Sequence, residues 1–125
     1  MGDSITITKS LSMRPAHREF GRVIVIKGTM VGKNYRIRPN ERILIGRDES
    51  QCDIIIPSGT VTHVHCELFY EPEREMYIVK DMSKNGTLVD EKYRLPKNEL
   101  VDIPPGSTLM IGSTKDVIVL DYPDS

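Results

Sequence analysis

The apolar residues of this chain come in short β-branched runs, each broken within a few positions by glycine, proline, asparagine or aspartate. Arg22-Val23-Ile24-Val25-Ile26-Lys27 closes on Gly28, and Ile43-Leu44-Ile45 on Gly46. Asp53-Ile54-Ile55-Ile56 closes on Pro57-Ser58-Gly59, and Leu100–Ile103 on Pro104-Pro105-Gly106. Runs of this length and composition read as strands, because branched side chains fit a pleated surface and the breakers supply turns. Lys33–Ile37, Met76–Lys80, Thr87–Val89, Thr108–Ile111 and Val117–Leu120 read the same way. From Val64 to Tyr70 the residues alternate, with Val64, Cys66, Leu68 and Tyr70 on one face and His65, Glu67 and Phe69 on the other. No segment repeats apolar residues at a 3.6-residue period, so sheet must pack on sheet. About ten short strands predict an all-β sandwich.

At 125 residues there is room for one core. Residues 1–20 carry few large apolar groups at any period and are expected to be a mobile tail, leaving 21–125 as the domain. Met1-Gly2-Asp3-Ser4-Ile5-Thr6 fits the loose N-myristoylation pattern, but an acidic residue directly after the glycine disfavours it. A formal net charge of −1 argues against a nucleic-acid binder, which would show a clear basic excess. No apolar run reaches the ~18 residues of a membrane span, and no secretory h-region opens the chain. Cys52 and Cys66 are too few for a disulfide framework, and reduced thiols suit a cytoplasmic protein.

Three loops carry the chemistry. Gly46-Arg47, Val61-Thr62-His63-Val64-His65-Cys66 and Ser83-Lys84-Asn85-Gly86-Thr87 each adjoin a short strand. Loops of a sandwich cluster at its ends, so segments far apart in sequence can meet there. Together they offer a guanidinium, a hydroxyl, imidazoles, an ammonium and an amide, a donor set suited to an oxyanion. Each also has a plainer reading. Arg47 can be a surface arginine paired with Asp48 or Glu49, and Asn85-Gly86 a tight turn with positive φ. His65 reads as a buried, hydrogen-bonded histidine.

Catalysis and metal binding are disfavoured. Thr62 or Ser58 with His63 or His65 and Asp81 makes a nominal triad, yet no nucleophile elbow or oxyanion motif accompanies it. Cys52, His63, His65 and Cys66 suggest zinc, but His65 and Cys66 are neighbours on a strand and point to opposite faces. No enzyme activity, metal or cofactor is expected.

The ordered set Ile45-Gly46-Arg47-Asp48, Cys52-Asp53-Ile54-Ile55-Ile56, Val61-Thr62-His63-Val64-His65-Cys66-Glu67-Leu68, Asp81-Met82-Ser83-Lys84-Asn85-Gly86-Thr87-Leu88-Val89 and Pro105-Gly106-Ser107-Thr108-Leu109-Met110-Ile111-Gly112 resembles the forkhead-associated (FHA) domain over about residues 22–122. The resemblance implies a β-sandwich of about eleven strands in two sheets that binds phosphothreonine peptides with loops at one end. By that resemblance Arg47 and Thr62 contact the phosphate, Asn85 bonds the peptide backbone, and His65 braces the loops. Gly46 and Gly86 shape those loops. His63 stands where the family has arginine or asparagine and offers an N–H to the oxyanion, while Lys84 adds a point charge. Thr62 replaces the family serine, keeping the hydroxyl and adding a methyl. Asp90-Glu91 replaces a second Asn-Gly turn.

The function expected is therefore a non-catalytic, phosphothreonine-dependent adaptor module in signalling. Its partner would be a protein phosphorylated on threonine by a Ser/Thr kinase. The alternative is a phospho-independent interaction or assembly domain that uses a sheet face. Thr6 or Thr8, if phosphorylated, would be a ligand supplied by the chain itself.

Overall fold

A computed structural model describes residues 19–124. The tail features, including the Met1–Thr6 pattern, Thr6 and Thr8, lie outside the described residues. Eleven strands are formed: β1 (Phe20–Lys27), β2 (Asn34–Ile37), β3 (Ile43–Gly46), β4 (Ile54–Ile55), β5 (Cys66–Glu71), β6 (Met76–Asp81), β7 (Thr87–Val89), β8 (Tyr93–Arg94), β9 (Leu100–Ile103), β10 (Thr108–Ile111) and β11 (Val117–Asp124). They build a six-stranded sheet ordered β2-β1-β11-β10-β7-β8 and a five-stranded sheet ordered β4-β3-β5-β6-β9. The β3–β4 pair is parallel and the other strand pairs are antiparallel. The all-β sandwich expected from the sequence is the fold observed. No helix of the described residues is long and apolar enough to cross a membrane.

The pleat explains the core. In β5 and β6, Cys66, Leu68, Tyr70, Tyr77 and Val79 alternate inward and are fully buried, and Leu109, Ile111, Ile118 and Leu120 meet them from the other sheet's strands. Two expectations shift. Val64, expected on the core face, is half-buried in the loop before β5, because regular pairing starts only at Cys66 opposite Ile45. Glu67 does point away from the core, yet is covered: Arg42 Nε lies 2.7 Å from Oε1 and Lys80 Nζ 4.0 Å from Oε2.

Strand β8 sits in a polar stretch without a strand signal. Lys92 N–H donates to the Val89 carbonyl (3.0 Å) in a tight turn ahead of the Val89–Tyr93 strand pair, and both central residues of that turn, Asp90 and Glu91, have positive φ (53° and 62°). That is the type I′ geometry that matches strand twist, here built without asparagine or glycine. Asp90 holds the turn to the neighbouring strand by accepting the Thr108 N–H at 2.9 Å.

Between the sheets, one hydroxyl joins strands that the ladder leaves apart. The β1–β11 register slips between Phe20 and Arg22. At that slip the Arg22 N–H donates to Tyr77 Oη (2.8 Å), and Tyr77 donates to the Asp121 carbonyl (2.7 Å). The Tyr77 ring packs on Tyr70 at 4.9 Å between centroids. Gly21 permits this: a Cβ there would lie 2.9 Å from atoms of both rings. Burial pushes the phenol's pKa up to about 12, so it remains a donor.

Two stability outcomes follow. Tyr77→Phe keeps the ring but takes the partner from a half-buried N–H and carbonyl, which costs about 1–3 kcal/mol and lowers Tm by about 5–15 °C with unchanged far-UV circular dichroism. Glu91→Gly relieves a left-handed residue and raises stability by about 1 kcal/mol in a urea melt. A neutral or destabilising result would show that the turn carries no strain.

Candidate functional site

The three loops meet at one end of the sandwich, and backbone bonds bring them there. Arg47 N–H donates to the Thr62 carbonyl and Asp48 N–H to the His63 carbonyl, each at 3.1 Å. The approach is so close that a side chain at Gly46 would run into the His63 carbonyl oxygen, which is why a glycine is required. Cys52 adds a thiol donor to that carbonyl at 3.1 Å. Both cysteines are free thiols, and burial raises their pKa values, Cys66 most strongly.

His65 ties the second loop to the third. It is fully buried, and its Nδ1 receives the Thr62 N–H at 3.1 Å. A backbone amide can only donate, so Nδ1 is the unprotonated nitrogen. Nε2 therefore carries the proton and donates to the Gly86 carbonyl at 2.9 Å. Gly112 N–H donates to the same carbonyl at 3.1 Å, using its second lone pair. Burial holds the His65 pKa below its ordinary value, and protonating Nδ1 would also set an N–H against an N–H. Because that acceptor nitrogen faces an amide, it is not the base that a Thr62 nucleophile would need.

The third loop is organised from beneath by Asp81, which is 3% exposed. Its Oδ1 accepts the Ser83 hydroxyl (2.7 Å) and the Thr87 hydroxyl (2.8 Å), while Ser83 Oγ accepts the Gly86 N–H (2.8 Å). Gly86 has φ +92°, but Asn85 is not left-handed, so this segment is not a simple I′ turn. Asn85 Nδ2 instead donates to the Thr60 carbonyl at 2.8 Å, crossing to the second loop. The sequence signal for Asp81 was its spacing to Ser83, an Asx-type pattern overlooked beside the loop motif.

Five of the expected residues, Arg47, Thr62, His63, Lys84 and Asn85, line one open cavity of about 200 Å³, together with Gly59 and Val61. His65, Gly46 and Gly86 lie behind it. Arg47 Nε donates to the Val61 carbonyl (2.9 Å), which fixes the guanidinium and leaves its two amino groups unengaged among the described residues. The plainer pairing with Asp48 does not form. Hydrogen bonds from Gln51 and Ser50 occupy that carboxylate and hold its pKa at about 2. Thr62 Oγ1 accepts the Lys84 N–H at 3.0 Å, so the hydroxyl proton is free to be donated outward.

The His65 geometry has a pH signature. With the folded pKa lowered, the unfolded chain binds the extra proton. His65's contribution to stability is thus complete above about pH 6.5 and lost as pH falls toward the folded value, at up to about 1.4 kcal/mol per pH unit. Urea unfolding between pH 7.5 and 5.5 should show this slope, and His65→Gln should flatten it while lowering stability at pH 7.5.

A sequence model of the FHA domain family matches residues 43–112. The chain is 26% identical over 104 residues to the meiosis-specific serine/threonine-protein kinase MEK1 of Saccharomyces cerevisiae, covering 74% of this chain. It spans about a fifth or less of the length of the curated relatives it matches (20% and 17%). The fold is shared with the solution structure of the FHA domain of an Arabidopsis thaliana hypothetical protein, at TM-score 0.78 and 19% identity over 99% of this chain and 97% of that one. It is also shared with the crystal structure of the MEK1 FHA domain in complex with a HOP1 phosphothreonine peptide, at TM-score 0.68 and 18% identity over 83% of this chain and 97% of that one. With the family match spanning more than half its length and the same two-sheet architecture, the chain belongs to the FHA domain family.

Proposed function

We propose that the loop end of this domain binds peptides phosphorylated on threonine and so recruits proteins modified by a Ser/Thr kinase. The observation that carries this reading is the cavity itself. Arg47, Lys84, His63 and the Thr62 hydroxyl converge on it, and no carboxylate lines it. A chain of net charge −1 has thus concentrated unneutralised donors at one spot.

Phosphothreonine brings a charge of about −1.5 to −2 and three strong acceptor oxygens. The Arg47 amino groups supply parallel charge-assisted donors, Thr62 a hydroxyl, and Lys84 a point charge on a mobile stem. Asn85, its amide nitrogen held by Thr60, turns its oxygen toward a ligand backbone N–H. In the related MEK1 FHA domain, the bound molecule is likewise a phosphothreonine peptide. The module does no chemistry on this reading, and its place is the cytoplasm, where kinase products are found.

Arg47→Ala is expected to weaken phosphothreonine-peptide binding more than tenfold, since a bond to a charged group contributes about 1.5–3 kcal/mol. Titration calorimetry with phosphorylated and unphosphorylated peptides tests it; equal affinities would sink the proposal. Asn85 is exposed, so Asn85→Ala should abolish most binding while moving Tm little. Retained binding with a Tm several degrees lower would make Asn85 a fold residue instead.

A further inference from the structure

The two sheets meet along one flank without closing. Strand β8 ends the six-stranded sheet and β9 the five-stranded one, so each has an outer edge with no ladder partner among the described residues. A cavity of about 340 Å³, mostly apolar, opens between them. It exists because β8 is only two residues long. After Arg94 the chain turns inward at buried Leu95 and crosses to the other sheet, leaving this flank without the wall that a longer strand supplies.

Core side chains therefore line an open cleft. Val89, Leu95 and Ile103 belong to the core, Val101 packs against it, and all four line the cavity. Tyr93 stands at the cleft 67% exposed, and Leu100, beside Val101 on β9, is 63% exposed. A large apolar side chain arriving from outside gains burial that the fold itself does not supply here. Charge along the cleft is one-sided. Asp90 and Asp102 line it and no lysine, arginine or histidine does, the reverse of the cavity at Arg47. Arg74 matches Asp102 at 2.8 and 3.2 Å. Asp90 Oδ1 accepts the Thr108 N–H, whereas Oδ2 has no partner among the described residues. The Ser107 hydroxyl donates to the Pro104 carbonyl and is not open to an anion. What fits is apolar in its body and cationic at its edge.

We infer that the β8–β9 cleft is a second docking site, for an extended segment of a partner protein carrying a large apolar residue beside a lysine or arginine. Edge strands take up extended chains through their unpaired peptide groups, and pockets beside them select alternate side chains. The segment lies along β9 and its apolar side chain enters over Leu95 and Val101. Its cation meets Asp90 Oδ2 and the face of the Tyr93 ring. No residue is shared with the cavity at Arg47, so the inference stands apart from the phosphopeptide reading.

Phage display of a random twelve-residue library on the full chain tests this, since displayed peptides carry no phosphate for the cavity at Arg47. Selected peptides should share a large apolar residue within two positions of Lys or Arg. In heteronuclear NMR spectra, a selected peptide should shift signals of residues 89–95 and 100–107 and leave those of 59–63 and 84–86 in place. Two substitutions at exposed positions then probe the contacts. Asp90→Asn keeps an acceptor for Thr108 and suits positive φ while removing the charge. It should weaken binding about three- to fivefold, the size of an exposed ion pair, and end any preference for Lys over Glu. Tyr93→Ala should weaken binding about tenfold. No enrichment, a consensus without the basic residue, or equal binding to all three proteins overturns the inference. So does a Tyr93→Ala protein in which signals of residues 1–18 shift or a dimer becomes a monomer, because the occupant is then the chain itself.

Discussion

The binding end depends on one neutral imidazole. Loops carry the functional groups, and each loop left alone would have to lose its conformational freedom when a ligand arrived. His65 removes most of that freedom beforehand, because its two nitrogens serve opposite purposes. One accepts from the loop that presents Thr62; the other donates to the loop that presents Asn85. Asp81 performs the same service within the third loop, and Asn85 closes the circuit back to Thr60. The Thr62 and Asn85 side chains are thereby held at the cavity by hydrogen bonds within the domain. Such preorganisation lowers the ordering cost of binding.

Charge is handled as locally as shape. Asp48 follows Arg47 directly and would neutralise it if the two side chains met. The carboxylate is instead folded back onto Ser50 and Gln51, and the guanidinium is drawn the other way by Val61. Opposite charges at adjacent positions thus stay separate, each satisfied by its own turn. Net charge says little about such a site, because the field a ligand meets is set within a few ångströms.

What could be read from the sequence followed from how directly physics couples residue to position. β-branched runs ended by Gly or Pro marked most strands within a residue or two, and alternation placed Cys66, Leu68 and Tyr70 in the core. The Asp90-Glu91 hairpin escaped because its left-handed residues are not the types that adopt that conformation readily; the strands on either side impose it. Val64 was misplaced because alternation does not say where pairing begins. The five cavity residues were legible through spacing matched to a family.

A sandwich core is held mostly by apolar contact, which is strong but has no direction, so two sheets could slide along one another at small cost. The Tyr77 hydroxyl resists this, since it rises from the five-stranded sheet and grips two strands of the other at their point of mismatch. It acts as a shear pin. Four residues further along the same strand, about 13 Å away, lies Asp81, the anchor of the third loop. The second loop joins strands of the five-stranded sheet, the third crosses from β6 of that sheet to β7 of the other, and the Gly112 turn that closes on Gly86 grows from the six-stranded one. Fixing the offset between the sheets at one end therefore sets the spacing of those loops at the other, as a dowel in a joint keeps its far edge flush.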